Sequence, residues 1–290
     1  RGARRRRDRA GGRSVTLADL ALSDLALSDL APVDLDTVLA VAPLARRVDR
    51  KYLVPLADAS ELGARLADTH HALQVAGRRC TTYRSTYLDT GDLRLCRDHL
   101  QGRRLRWKAR SRLYVEDGLC RFEVKVRGAR EETVKHAVDL EPSSYGRYGA
   151  VERAFIGGVL AAPHPAVPDL RPVLEIGYTR ATLVDLRAGA RLTVDHGVVG
   201  RPTAAGSPEL DRGSVAVDHD RVIVETKSGS RPCLGDLVLA AMGHRPLAIS
   251  KYATSAALLA RGVPDNQVRR LVGRGVSVRA SSSHLDQEAS

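Results

Sequence analysis

Arg-Arg-Leu-Arg-Trp-Lys-Ala-Arg, residues 103–110, is the stretch from which the fold can be worked out. Side chains of a β-strand point alternately to its two faces. In a strand over residues 103–115, Leu105, Trp107 and Ala109 would share one face, and four cations would share the other. Those four cations are Arg104, Arg106, Lys108 and Arg110. The stretch therefore predicts a strand with one strongly ionic face and one apolar face.

The same alternation of ionic and apolar side chains recurs in residues 121–127, 190–195 and 221–227. On a single strand, charge on one face is ordinary solvation of a sheet that meets water. Like charges directly opposite on neighbouring strands destabilise a sheet, however, and the carboxylates in these stretches are too few to balance the cations. A bound polyanion would supply the missing negative charge.

About nine strand-like stretches occur in two groups, with helical stretches between and after them. This count suits an antiparallel barrel or a curved sheet with helices outside, and the fold predicted is α+β: an antiparallel β-barrel, or tunnel, with a polar cationic interior and helices packed outside. The ionic faces would line the tunnel and the apolar faces would pack against the helices. Ser60 and Ser250 are predicted to cap two of these helices at their N-termini.

Lysine is rare in this chain and is concentrated in the strand-like stretches. Only six of the 46 cationic residues are lysine, and they are Lys51, Lys108, Lys125, Lys135, Lys227 and Lys251. A lysine ammonium acts as a compact point charge toward phosphate oxygens, whereas arginine presents a flat fork. The distribution indicates phosphate binding, with chance as the alternative explanation for so small a number.

The net charge of +12 predicts an anionic partner, whether nucleic acid, phosphate-rich small molecules or an acidic membrane surface. Aromatic residues make up only 4% of the chain, which argues against nucleic acid bound through base stacking. No apolar run reaches the ~18 residues that a transmembrane segment needs. Four cysteines without a Cys-x-x-Cys pair, and no visible signal peptide, indicate reduced thiols in a cytoplasmic protein.

Composition divides the chain into three segments. Residues 1–45 hold an arginine-rich start and a five-residue Asp-Leu-Ala-Leu-Ser repeat, and they are predicted to be disordered and of low complexity, with a short helix up to Ala40 as the alternative. Residues 46–262 carry the strand-like and helical stretches and are predicted to form the tunnel domain. Residues 263–290 are polar and are predicted to be a weakly ordered tail.

Eight short strings in a fixed order resemble a known family. They are Arg-Lys-Tyr (50–52), Tyr-Leu-Asp-Thr (87–90), Arg-Leu-Arg-Trp (104–107), Glu-Val-Lys (123–125), Tyr-Thr-Arg (178–180), Arg191 to Asp195, Glu-Thr-Lys (225–227) and Ser-Lys-Tyr (250–252). Over residues 46–260 the chain resembles a VTC-type polyphosphate polymerase domain, within the triphosphate tunnel metalloenzyme superfamily. Each string is weak alone, and their common order makes the set fairly specific.

The resemblance implies a role for each matching residue. Five cations would be catalytic: Lys51, Arg104, Arg106, Lys125 and Lys227. Seven residues would bind phosphates: Arg84, Lys108, Tyr178, Arg180, Arg191, Ser250 and Lys251. Glu225 would hold a divalent metal, Mn²⁺ or Mg²⁺. Ser250 and Lys251 would also lie at a helix N-terminus, where free N–H groups favour anions.

The implied activity is transfer of the γ-phosphate of a nucleoside triphosphate, with ATP as the first choice, onto a growing inorganic polyphosphate chain. The expected partners are therefore nucleoside triphosphate, pyrophosphate and polyphosphate. Such transfer depends on positioning and on charge neutralisation more than on covalent help from the protein. No general base is required, because the attacking group is already an anionic phosphate.

One departure from the superfamily pattern separates the alternatives. Many members begin with Glu-x-Glu-x-Lys, whereas this chain has Val48-Asp49-Arg50-Lys51. The missing glutamates fit the polymerase branch better than the hydrolase branch, and they leave Glu225 with few metal-sharing partners. Two alternatives stay open: a triphosphate hydrolase in the same tunnel, and a non-catalytic module that binds polyphosphate or nucleic acid.

Overall fold

The computed structural model describes residues 30–41, 48–127, 133–160 and 166–280. The predictions of a disordered start and of a weakly ordered end therefore lie outside the described residues for 1–29 and 281–290. The described residues form twelve strands, seven α-helices and one short 3-10 helix at Pro142–Ser144.

The strands are β1 (Pro32–Val33), β2 (Val48–Pro55), β3 (His70–Leu73), β4 (Cys80–Asp89), β5 (Trp107–Tyr114), β6 (Leu119–Arg127), β7 (Thr133–Leu140), β8 (Arg171–Asp185), β9 (Ala190–Pro202), β10 (Gly213–Val217), β11 (Arg221–Ser228) and β12 (Val276–Ala280). The helices are α1 (Leu35–Val41), α2 (Leu56–Arg65), α3 (Arg94–Leu100), α4 (Ala150–Val159), α5 (Leu234–Ala241), α6 (Lys251–Leu259) and α7 (Asn266–Arg269).

One large sheet contains all the strands, and every pairing in it is antiparallel except that of β1 with β3. Its main path runs β2-β11-β9-β8-β4-β5-β6-β7. The sheet branches at the long strand β9, because the first half of β9 pairs with β11 and its second half pairs with β10. The predicted antiparallel α+β fold is confirmed.

The sheet is not closed as a barrel, so that part of the prediction was wrong. Among the described residues β2 pairs only with β11, and β7 pairs only with β6. Both of these edge strands carry an inward cation, Lys51 on β2 and Lys135 on β7. A ladder joining them would add a further contact between like charges on the inner face, which opposes closure.

The outer face of the sheet is apolar and is covered by helices, as the alternation predicts. Helices α2 and α5 cover β2, β9 and β11, with Leu62 and Leu239 fully buried there. Helix α4 covers β5 and β6, and its Ile156 packs with Trp107 and Phe122. These side chains alternate in the strands with the ionic residues, so burial of one set turns the other set to the inner face.

The inner face is apolar at one end, where α6 packs against it. Tyr87 of β4, Ile176 of β8 and Ile223 of β11 contact this helix as parts of one core cluster. Gly200 of β9 permits the close approach, because a Cβ atom there would lie 2.7 Å from Oγ of Ser255. Helix α6 therefore closes one end of the inner face and leaves the ionic residues beyond it.

Several predicted boundaries differ from the structure. The strand expected from residue 103 begins at Trp107, because residues 101–105 form turns. Helix α2 begins at Leu56 with Pro55 at its N-cap, so Ser60 does not cap it. Ser250 does cap α6, since its side chain accepts a hydrogen bond from the backbone N–H of Ala253.

The folded region also extends beyond the predicted boundaries. Residues 30–41 lie in the segment predicted to be of low complexity with a short helix up to Ala40 as the alternative. They form β1 and the short helix α1, and Val38 is buried against Val184. Residues 263–280, expected to be weakly ordered, form α7 and the edge strand β12, which pairs with β10. Apolar side chains that were too sparse to signal an element from sequence are buried here by the sheet.

Candidate phosphate-binding site

All six lysines of the chain lie along the inner face of the sheet, and each comes from a different element. They are Lys51 of β2, Lys108 of β5, Lys125 of β6, Lys135 of β7, Lys227 of β11 and Lys251 at the start of α6. We call the surface that they share with the inward residues of β4, β8 and β9 the cationic basin. The few lysines of the sequence therefore lie on the same face of the folded protein.

Three lysines stand directly opposite one another across three neighbouring strands. Lys108 is in register with Lys125, and Lys125 is in register with Lys135. Lys135 has Glu123 as a partner at 3.2 Å, and the Nζ of Lys108 donates a hydrogen bond to Oγ of Ser250 at 3.3 Å. Burial and the nearby charge of Arg110 hold the pKa of Lys125 well below its usual range. The row has Glu123 as a carboxylate partner at Lys135 and remains short of negative charge, as the sequence predicted.

Glu225 lies at the centre of the basin and is surrounded by cations. Its carboxylate is 3.6 Å from Nζ of Lys51, 3.4 Å from Nζ of Lys227 and 3.9 Å from Nη2 of Arg180. Burial alone would raise the pKa of Glu225, but Lys227, Lys51, Lys251 and Arg180 outweigh it and hold the pKa well below its usual range. The carboxylate is thus ionised and shared among several cations.

Asp195 of β9 is a second buried carboxylate with two cationic partners. Arg180 donates two hydrogen bonds to it, Nε to Oδ1 at 2.5 Å and Nη2 to Oδ2 at 2.8 Å. Nζ of Lys251 lies 2.5 Å from Oδ2. Burial raises the pKa of Asp195, and the two cations more than reverse this, to about 2. Through its contact with Lys251, Asp195 holds the N-terminus of α6 above the basin.

Arg110 and Arg112 of β5 are buried in the basin, and neither was among the predicted site residues. Arg110 donates a hydrogen bond from Nε to Glu123 at 2.7 Å and one from Nη1 to the hydroxyl of Tyr87 at 2.6 Å. Arg112 donates to the hydroxyl of Tyr178 at 3.0 Å. The alternation that placed Arg110 on the ionic face continues to Arg112, so the signal was present in the sequence.

Two of the short sequence strings have a structural explanation. Asp89, from Tyr-Leu-Asp-Thr, accepts hydrogen bonds from the backbone N–H groups of Leu95 and Cys96 and so caps α3. The hydroxyl of Tyr252, from Ser-Lys-Tyr, donates to the same carboxylate. These residues join α3 to α6 beneath the basin.

The structure brings most of the predicted site residues together. Those that line the basin are Lys51, Lys108, Lys125, Tyr178, Arg180, Glu225, Lys227, Ser250 and Lys251. Arg191 lies on the same face at its far end, where its Nη2 donates to the carbonyl oxygen of Val38 at 2.8 Å. Arg106 lies at the rim, just before β5, with Nη1 donating to the carbonyl oxygen of Arg103 at 2.7 Å.

Arg84 and Arg104 are not brought to the basin. Arg84 points to the opposite face of β4 from Tyr83 and Tyr87, and its Nη2 lies 2.9 Å from Glu175. Arg104 lies in the turn before β5 and faces a separate pocket. The short sequence motifs do not distinguish these two arginines from the arginines that point inward. The first residue of a strand and its alternation decide which face each side chain takes.

Lys108 and Lys227 give the protein an expected pH dependence of stability. Burial lowers the pKa of each to about 8, from an ordinary value of 10.5. Between pH 8 and 10.5 the unfolded chain holds protons that the folded chain has released, so stability rises with pH. We expect the melting temperature to rise between pH 7 and 9.5, and Lys227→Met to reduce that rise. A melting temperature that falls over this interval would contradict the assignment.

The carboxylates of the basin do not by themselves fit a divalent metal. The described residues contain no group of three His, Cys, Asp or Glu side chains that would hold an ion. Glu225 and Asp195 are the nearest candidates, and each is already engaged by cations that would repel a metal. The metal site that the resemblance implies at Glu225 thus lacks protein partners within the described part of the chain.

The fold and the basin together define an α+β protein in which one face of an antiparallel sheet gathers buried cations. The VTC domain matches residues 46–260, so the chain belongs to the VTC domain family. Comparison with curated proteins gave no match. In the described part of the chain, no helix is long and apolar enough to cross a membrane.

Three solved structures resemble the chain at low sequence identity. A candidate adenylate cyclase from Bacillus halodurans is 14% identical, with 70% of this chain and 93% of that chain covered and a TM-score of 0.42. A candidate adenylyl cyclase from Hippeastrum, described as having a dominant triphosphatase activity, is 13% identical. The match covers 75% of this chain and 98% of that chain, with a TM-score of 0.41. A candidate adenylate cyclase from Vibrio parahaemolyticus is 9% identical over 78% and 98%, with a TM-score of 0.37.

Proposed function

We infer that the protein is a polyphosphate polymerase that transfers the γ-phosphate of a nucleoside triphosphate, ATP for preference, to a growing polyphosphate chain. The single observation that carries the proposal is the convergence of six lysines from six elements onto one face, with Lys227 buried and Lys135 exposed at its edge. Buried like charges are costly unless they are paired, and the two central carboxylates satisfy only part of this set. A chain of phosphates supplies the missing charge at regular intervals.

The basin supports this transfer mainly through charge. Lys51, Arg180 and Lys227 surround one point beside Glu225 and would hold the γ-phosphate there, neutralising the charge that spreads over its oxygens. The terminal phosphate of the growing chain attacks the γ-phosphorus, the bond to the β–γ bridging oxygen breaks, and ADP leaves. The row of Lys108, Lys125 and Lys135 would hold the flanking phosphates.

The N-terminus of α6 adds a fixed dipole to this arrangement. The helix is nine residues long, and its first residue, Lys251, is held over the basin by Asp195. Backbone N–H groups at a helix N-terminus favour anions, and Ser250 satisfies one of them in the free protein. The hydroxyl of Ser250, which caps the helix, also accepts a hydrogen bond from Nζ of Lys108. The Ser250 hydroxyl and the Lys108 ammonium can therefore both turn to a bound phosphate.

Incubation of the pure protein with ATP and Mn²⁺ tests the proposal. We expect long-chain polyphosphate and an equivalent release of ADP. Clean release of orthophosphate from tripolyphosphate without polymer would instead indicate a hydrolase. Glu225→Gln separates an enzyme from a binding module: a binder should hold tripolyphosphate as well or better, because a negative charge is gone, while an enzyme should lose turnover.

A further inference from the structure

A pocket of about 500 Å³ lies on the outer side of α3, between this helix and the turns that precede β5. Trp107 forms part of its wall and is buried with the outer core of the sheet. Trp107 and Lys108 are neighbours in β5, so their side chains point to opposite faces. The pocket is therefore separate from the cationic basin. Its volume falls in the range of small-molecule sites, ~300–1,000 Å³.

The pocket combines an apolar wall with three arginines. Leu95, Leu105, Trp107, Ala166 and Pro168 supply apolar surface, and the arginines are Arg94, Arg103 and Arg104. Arg94 lies 4.0 Å from Asp98, which is the one carboxylate in the lining. Arg104 is exposed and forms no hydrogen bond or ion pair with any residue that the structure describes. One guanidinium is thus available to a ligand.

This lining selects the chemistry of the ligand. An inorganic phosphate chain would satisfy the arginines but would gain nothing from five apolar residues. A purely apolar molecule would leave three charges unused. A ring attached to phosphates satisfies both, because guanidinium groups stack on aromatic rings as well as bonding phosphate. Asp98 can accept a hydrogen bond from an exocyclic amine or a ribose hydroxyl.

Residues 103–106 lead from the pocket to the start of β5, whose Lys108 lies in the basin. Asp98 of α3 lines the pocket, and the next residue, His99, is partly buried and feels the charges of the basin. Burial lowers the pKa of His99 to about 3, and the charges of Lys108, Arg106 and Lys51 contribute. Arg106 directly precedes β5 and is two residues from Arg104 in the pocket and two residues from Lys108 in the basin. A ligand that spans the rim can reach both.

We propose that this pocket binds the nucleoside part of a nucleoside triphosphate whose phosphates pass over residues 103–106 to Lys108 and Lys51. The proposal rests on the proposed function, since it assigns the nucleotide of that reaction a place to bind. It makes Arg104 a specificity-determining residue for nucleotide over inorganic triphosphate. Its role is then distinct from that of the inward cations.

Calorimetric titration with ATP and, separately, with tripolyphosphate tests the proposal. We expect Arg104→Ala and Leu105→Asp to weaken ATP binding about tenfold, the size of one lost charge-assisted contact. Both variants should leave tripolyphosphate binding within about twofold of the original, because that ligand uses only the basin. Arg212→Ala removes an exposed arginine before β10 and serves as the matched control, with neither affinity changed.

Trp107 gives an independent signal, because it is the only tryptophan of the chain. ATP is expected to change its emission at concentrations that match the calorimetric affinity, and Leu105→Asp should shift that titration by the same factor. Equal weakening of both ligands in the two variants, or no weakening of either, would overturn the pocket assignment and leave the polymerase proposal intact. Failure of tripolyphosphate to bind the unaltered protein would overturn both.

Discussion

Replacement of Lys227 by alanine is expected to lower the rate of ADP release and polymer growth by about 100-fold or more, the scale for loss of one transition-state charge donor. Lys227 is buried in the basin, with Nζ 3.4 Å from Glu225 and donating to Oγ1 of Thr193 at 3.0 Å. No other cation projects from this position of β11. Initial rates with ATP as the phosphate donor would measure the effect.

The folded state should tolerate this change well. Burial lowers the pKa of Lys227, which shows that its charge opposes folding, so its removal relieves that cost. Lys227→Arg should restore only part of the rate, because a flat fork replaces a point charge. Arg153→Ala on the outer surface of α4 is the control and should keep full activity. A rate loss below threefold in Lys227→Ala would contradict the assigned role.

Replacement of Asp195 by asparagine is expected to destabilise the free protein by about 3–5 kcal/mol, the cost of leaving buried charges without their partner. Asp195 is fully buried and is bound by both Arg180 and Lys251. Its pKa of about 2 in the folded protein lies below the ordinary 3.8. Its stabilising effect is therefore fully present above pH 4 and is lost as the pH falls through 2. Urea unfolding at pH 7 would measure the loss.

Tripolyphosphate should recover much of that stability, because the variant basin carries one more net positive charge for the ligand to neutralise. Asp211→Asn is the matched control: Asp211 pairs with Arg261 on the surface, where an ion pair contributes about 1 kcal/mol or less. A loss in Asp195→Asn as small as in Asp211→Asn would mean that the buried ion cluster does not hold the basin together. Absence of any stabilisation by tripolyphosphate would count against phosphate binding as a whole.

Much of the inner face was predictable from β5 alone. The alternation in residues 103–110 placed Lys108 and Arg110 on one face and Trp107 on the other, as the structure has them. It failed for Arg104, because the strand begins at Trp107, four residues later than the pattern suggests. A run of alternating residues fixes the phase of a strand, but it does not fix where the first backbone hydrogen bond forms.

Other placements had no readable signal in the sequence. Both faces of β4 carry polar and apolar residues, so nothing shows that Tyr83 and Tyr87 turn inward while Arg84 turns outward. The register between β4 and β8 shifts after Tyr87, and the register between β8 and β9 shifts after Gly177. Each shift changes the face that later residues take. Phase beyond such a point depends on the partner strand.

The amino-acid sequence by itself determined the phases of β5, β6 and β11, the scarcity and position of lysine, and the excess of positive charge, because these follow from the order of residues along one strand. Only the tertiary structure decided that Glu225 and Asp195 each receive several cations, that α6 closes one end of the inner face and that the sheet stays open. Those outcomes depend on distances between residues far apart in the chain, and such distances are set when strands pair and helices cover one face.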